Sequence, residues 1–174
     1  MNETESFHRE EKLALVSRYA TPMAAILIGA GLIFAPLDPT PRLVGAVLLA
    51  FSLLLNVFFV PCVARLADGA RDKLAKSRAT INLWINIVLI YLLGRAWSPI
   101  WLLLVLSSVA TAIYGTRQRA LVTASFLSGV VVLINLLHQL FTPEDWALVA
   151  VKAAFIFLSA LMVNDLTHPR KPAA

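Results

Sequence analysis

Residues 63–80 read VARLADGARDKLAKSRAT, placing Arg65, Arg71, Lys73, Lys76 and Arg78 against only Asp68 and Asp72. This is the one long charged stretch inside the chain, with extended apolar runs on both sides of it. Short loops rich in Lys and Arg resist translocation across a membrane, so the stretch predicts a cytoplasmic segment that orients its neighbours.

Composition points to the same solvent. Hydrophobic residues are 59% of the 174 and charged residues 14%, whereas soluble domains hold about 45–50% and about 25%. The surface such a chain can build is too apolar for water, which leaves lipid. The net charge of +5 then reads as a basic cytoplasmic face beside anionic headgroups, not as a nucleic-acid footprint. Cys62 is the sole cysteine, which excludes an intrachain disulfide and any multi-cysteine metal or redox centre. The first residues, MNETESFHREEKLALVSRYA, carry Glu3, Glu5, Glu10 and Glu11, unlike a secretory signal, so the N-terminus is expected to be retained.

Six apolar runs follow. Residues 1–20 form a cytoplasmic or interfacial helix, with Leu13, Val16 and Ala20 on one face and Arg9, Lys12 and Arg18 off it. Span one covers Tyr19 to Leu37, close to the roughly 20 residues that cross about 30 Å of hydrocarbon. Asp38-Pro39-Thr40-Pro41 is a turn, because proline cannot continue a helix but can begin one. Leu43–Val60 is span two, and the basic segment 61–80 extends it as a cytoplasmic helix. Ile81–Gly94 is span three, Pro99–Tyr114 span four, Ala120–Phe141 span five and Ala147–Val163 span six, with 165–174 as a cytoplasmic tail. Gly115 suits the left-handed residue that ends a helix. Thr40-Pro41, Ser98-Pro99 and Thr142-Pro143 each pair a capping hydroxyl with a proline that lacks an N–H to leave unpaired.

Counting Lys and Arg by side orients the layout. The N-terminal helix, the basic segment, the Arg117/Arg119 turn and the tail hold 12, and the opposite side holds Arg42 and Arg95. The fold class expected is therefore all-α: a single membrane domain over 1–174, of six transmembrane helices in three hairpins, with both termini cytoplasmic.

The chemistry-bearing residues are few. Asp68-Gly69-Ala70-Arg71-Asp72 has an acid, a glycine and an arginine beside a span, as in CDP-alcohol phosphotransferases. The spacing differs from that family, and Ile81, Asn82 and Asn86 stand where it carries metal-binding aspartates. Only His138 of the three histidines falls in a span, too few for bis-histidine haem or for zinc. No hydrolase or phosphate-loop motif occurs. Neither cofactor nor metal is expected, and no enzymatic activity.

Two polar layers remain. Asn56, Asn82, Asn86, Ser107, Ser108, Thr111, Thr123, Ser125, Ser128 and Asn164 lie toward the cytoplasmic side, where such groups commonly bond between spans. Asn135, His138, Gln139 and Lys152 lie toward the outer side. Asn135, His138 and Lys152 are the candidate ligand site, because an ionisable group within a span is costly unless it serves a partner or reaches water. Alternatively Lys152 snorkels toward Asp145, seven residues back on the same face. Arg65, Arg71, Lys73, Lys76 and Arg78 are the candidate surface for anionic lipid or a protein partner.

Tyr91 to Leu121 (YLLGRAWSPIWLLLVLSSVATAIYGTRQRAL) resembles hairpins in the multi-pass membrane input regions of bacterial sensor histidine kinases and diguanylate cyclases. The resemblance lies in Gly94, Ser98-Pro99 with its aromatic-aliphatic span, Tyr114-Gly115 and the Arg117/Arg119 turn. It implies a sensing or coupling bundle of the bacterial inner membrane, either truncated from a longer signalling protein or acting through a separate protein partner or a second copy. A small-molecule uptake subunit is the alternative, by analogy of size and span number.

Overall fold

The computed structural model describes the backbone of residues 3–63 and 68–168, with side chains for 19–57, 74, 77–113 and 115–168. Its regular secondary structure is entirely helical over these residues: α1 Glu3–Phe34, α2 Pro39–Val63, α3 Asp68–Leu93, a 3-10 turn Ser98–Trp101, α4 Leu102–Tyr114, α5 Arg117–Leu137 and α6 Pro143–Thr167. Three of these are long and apolar enough to cross a membrane: α2 over Pro39–Val57, α5 and α6. Tyr19–Phe34, Ser77–Leu93 and Ser98–Ile113 are shorter apolar stretches. Leu43, Val47, Leu54 and Val57 of α2 are all more than half exposed. An apolar helix surface of that extent is suited to lipid rather than water.

Several boundaries differ from those read in the sequence. The basic segment is not an extension of α2, because residues 68–80 are continuous with 81–93 in α3. Asp68 is the first residue of that helix and Asp72 the fifth, and acidic residue types are favoured near a helix start. Nothing between Ala70 and Leu93 interrupts it. Span five ends at Leu137, four residues early, in the turn described below. Gly115 is extended (φ −90°, ψ 160°) and not left-handed. Glycine is needed there for space, since an added Cβ would lie 2.7 Å from the Thr111 carbonyl oxygen.

The three hydroxyl-proline pairs also diverge. Thr142 accepts from the Asp145 N–H at 3.2 Å while Asp145 accepts from the Thr142 N–H at 3.1 Å, a complete capping box on α6. Ser98-Pro99 opens the 3-10 turn instead. Thr40-Pro41 lies inside α2, which starts two residues sooner because Pro39 already has a suitable φ and the Asp38 carbonyl accepts from the Arg42 N–H at 3.2 Å.

The chain divides into two compact units. In the unit of residues 25–100, Gly45 lets α2 approach α1 and α3 closely: a Cβ there would meet Leu32 at 2.9 Å and Leu89 and Leu93 at 3.8 Å. Gly31 similarly accommodates the Trp97 ring, 2.8 Å from where its Cβ would stand. A polar ladder joins α2 to α3, with the Ser52 hydroxyl donating to Asn82 Oδ1 at 3.1 Å and Asn82 Nδ2 donating to Asn56 Oδ1 at 3.4 Å.

In the other unit α4, α5 and α6 pack around Leu103, Leu104, Leu127 and Ile156, all fully buried. Toward the Gly115 turn the contact narrows to Ala112, Ala120, Ala124 and Ala160, flanked by Phe157 and Val163. Small side chains there allow close backbone approach, which strengthens dispersion contacts when lipid removes the hydrophobic incentive to associate. Close approach in turn brings side-chain donors to neighbouring carbonyls. Ser108 donates to Ile156 O at 3.5 Å, and Ser128 to Ala153 O at 3.1 Å. Asn164, 2% exposed, donates from Nδ2 to both Ala112 O (2.8 Å) and Gly115 O (3.1 Å). Those carbonyls belong to the last turn and exit of α4, which has no following turn to satisfy them.

Replacing Asn164 with leucine, nearly isosteric but unable to donate, is expected to destabilise the protein by about 2 kcal/mol, since it strands two buried carbonyls. Replacing the exposed Ser125 with alanine is expected to change stability by less than about 0.5 kcal/mol. Thermal unfolding in mild detergent compares the two.

Candidate functional site

The outer-side candidates start from how α5 stops. The Leu140 N–H donates to Asn135 O at 3.2 Å and the Gln139 N–H to Leu136 O at 3.0 Å. These are the paired bonds of a Schellman ending, with His138 as the last half-helical residue and Gln139 in the left-handed position that glycine usually fills. Gln139 has φ 55°, the one positive φ among the described non-glycine residues. Asn135, 6% exposed, locks this turn from inside, its Nδ2 donating back to Leu140 O at 2.9 Å. Its backbone carbonyl and its side-chain amide thus both hold Leu140. His138 is half-buried at the helix end and already engaged in a polar interaction.

Lys152 lies deeper along the same hairpin. The Ser128–Ala153 bond sets the antiparallel register of α5 and α6, which puts Lys152 level with Gly129 and Asn135 level with Trp146. Six residues of offset is about 9 Å along the axis. Asn135 and His138 therefore belong to the turn, and Lys152 to the body of α6. Lys152 is half-buried, and no described residue gives it a hydrogen bond or ion pair. Asp145, the acid on its own face, is committed to the cap: its Oδ2 accepts from the Thr142 hydroxyl at 2.6 Å as well as from the Thr142 N–H.

On the basic side, Arg65 lies outside the described residues. Arg71, Lys73 and Lys76 are on the α3 backbone, with side chains outside the description, and Arg78 is half-buried and already engaged. At the exit of α6, Asp165 meets Arg117 at 3.9 Å between two well-exposed side chains, a weak pair in water. Thr167 Oγ1 lies 3.0 Å from His168 Nδ1. Among the described residues no three His, Cys, Asp or Glu side chains converge as a metal site would require.

Sequence reasoning placed Asn164 in a polar layer without seeing that one amide closes the end of another helix. It missed Ser52 and Thr116 altogether. Ser52 precedes Asn56 by one helical turn, a spacing that could have signalled its place in the ladder. Thr116 precedes Arg119 by the three residues of an N-cap, and its hydroxyl accepts from that N–H at 3.4 Å.

The turn generates two opposite expectations. Asn135→Ala removes a buried amide bond and is expected to cost about 1–2 kcal/mol, whereas Gln139→Gly relieves the left-handed backbone and is expected to stabilise by about 1 kcal/mol. Thermal unfolding of the two variants checks the pair. No family model, no curated protein and no solved structure matches the chain.

Proposed function

We propose that the chain is an integral protein of the bacterial cytoplasmic (inner) membrane, with six spans paired as three hairpins and both termini cytoplasmic. It works as a non-enzymatic sensor, coupling or scaffold protein, through a protein partner or a second copy on its basic cytoplasmic face.

The observation that carries this reading is the continuity of α3. Its 26 residues run without interruption from the charged sequence DGARDKLAKSR into the apolar INLWINIVLIYLL. A helix of that length extends about 39 Å, of which the apolar stretch Ser77–Leu93 supplies about 26 Å against the roughly 30 Å of a hydrocarbon core. The basic half then stands at the headgroups while the apolar half lies among lipid tails, and a rigid helix links them. A partner that pulls or rotates the charged half moves the apolar half with it. Uninterrupted backbone bonding makes this a better mechanical connection than a loop would be.

Two further observations support the reading. The division of Lys and Arg, 12 to 2, favours a cytoplasmic position for the basic segment, the Arg117/Arg119 turn and both termini. The short apolar stretches Tyr19–Phe34 and Ser77–Leu93 each continue N-terminally as helix, in α1 and α3. Apart from Pro22, which has no N–H to donate, the helical backbone bonding carries on past the start of each stretch. The likeness of Tyr91–Leu121 to sensor input hairpins points the same way.

Topology is tested by labelling single introduced cysteines in a Cys62→Ser background with an impermeant thiol reagent. Positions 40 and 96 are expected to react in intact cells and position 118 only after lysis; external labelling at 118 overturns the orientation. Partner use is tested by co-purification in mild detergent. Replacing Arg71, Lys73 and Lys76 with Gln removes three cations, each worth about 1 kcal/mol at a charged surface. Partner retention is expected to fall, and the wild-type interaction to weaken as salt is raised from about 0.1 M to 1 M. Retention unchanged by the substitutions excludes the basic face, and co-purification with a pair of ATPase subunits instead would identify an uptake subunit.

A further inference from the structure

Between Trp146 and Thr167 of α6 there are five hydroxyl, amide or charged side chains: Lys152, Ser159, Asn164, Asp165 and Thr167. Four are satisfied within the protein. Ser159 donates to Phe155 O and Ile156 O, Asn164 to the end of α4, and Thr167 to Val163 O and Asn164 O, while Asp165 meets Arg117. Lys152 is the exception among the described residues, and it is the one full charge in the apolar part of the helix. The remaining described carboxylates of this unit are Glu144, exposed at the first turn, and Asp145, held by Thr142.

Its position on the helix is equally specific. Lys152 shares a face with Val149 and Ile156, which are buried against α4 and α5. On the adjacent flank Leu148, Val151 and Phe155 are about half exposed or more, and the Phe155 ring stands edge-on to Trp101 at 5.8 Å. The lysine therefore lies at a seam, with packed protein on one side and an exposed apolar strip on the other. It is nine residues past Pro143, about 13 Å along the axis. Helical side chains lean toward the N-terminus, so its ammonium is carried back toward the nearer headgroup layer.

From this arrangement we infer that Lys152 binds the phosphate of an anionic phospholipid, whose acyl chain lies along Leu148, Val151 and Phe155. The cation needs a counter-charge that the described protein does not supply, and the strip beside it needs an apolar cover. One amphiphile with a phosphate at its head meets both needs. The inference depends on α6 lying in a bilayer and is independent of any partner at the basic face.

The test uses the full-length protein in mild detergent: wild type, K152M, K152Q and K152R. Each is titrated with phosphatidylglycerol, phosphatidylcholine or inorganic phosphate, following the melting temperature and the lipids retained in native mass spectrometry. Wild type and K152R are expected to be stabilised by phosphatidylglycerol in preference to phosphatidylcholine and to retain it. K152M and K152Q are expected to bind it about tenfold more weakly or worse, the loss of a charge-assisted bond. Lipid held by the basic segment is common to all four proteins and cancels in the comparison. If inorganic phosphate stabilises wild type but not K152M, while phosphatidylglycerol does not distinguish them, the anion site stands and its source is a soluble phosphate. If neither ligand distinguishes wild type from K152M and K152Q, the inference is overturned. K152M and K152Q serve as independent removals, so poor folding of one does not leave the question open.

Discussion

The Asn164 amide, buried and shared between the carbonyls of Ala112 and Gly115, expresses the constraint on which the α4–α6 unit depends. Ala112 and Gly115 are buried, so their carbonyls have no water to fall back on and must be satisfied by the protein itself. The end of α4 is closed from another helix. That requires α6 to lie close enough for a short side chain to reach, and the alanines at 112, 120, 124 and 160 permit the distance. Small residues and the amide thus depend on each other: packing brings the donor within reach, and the donor makes that packing specific.

The same economy explains how the other helix ends are treated. At the α5–α6 turn, Asn135 holds Leu140 by its carbonyl and its amide, and Thr142 with Asp145 closes the start of α6 immediately afterwards. All three polar residues bond to the turn's backbone, Asn135 through its Nδ2. In the unit of residues 25–100, the ladder of Ser52, Asn82 and Asn56 uses side chains to satisfy one another between α2 and α3. Its buried exception is the Trp97 indole N–H, which has no acceptor among the described residues. The Trp97 ring lies against Gly31, where an added Cβ would come within 2.8 Å of it.

Polarity along the chain therefore divides by accounting. Groups that complete a helix end or bridge two helices are structural, whatever their place in a polar layer. Groups left over after that accounting are the ones with chemistry to offer, and in α6 the remainder is Lys152. The basic half of α3 is a separate case: under the proposed membrane topology headgroups and water solvate its charges, although Arg78 is also engaged within the fold.

Much of this was legible in the residues alone. Composition, the apolar runs and the isolated charges of 63–80 determined an all-helical chain with helices of membrane-crossing character, because solvent preference and helical period are local properties. The capping of α6 by Thr142 was equally local, since donor and acceptor are three residues apart. Tertiary structure decided what depends on distant partners. It joined the basic segment to Ile81–Leu93 instead of to α2, ended α5 at a Gln139 that no glycine announced, and revealed Asn164 as the closure of α4 from across 52 residues. It also gave the register of α5 against α6, which offsets Asn135 from Lys152 by about 9 Å along the helix axis. Sequence spacing reports which groups share a helix face, but whether a polar group remains free depends on the donors and acceptors that other helices bring to it.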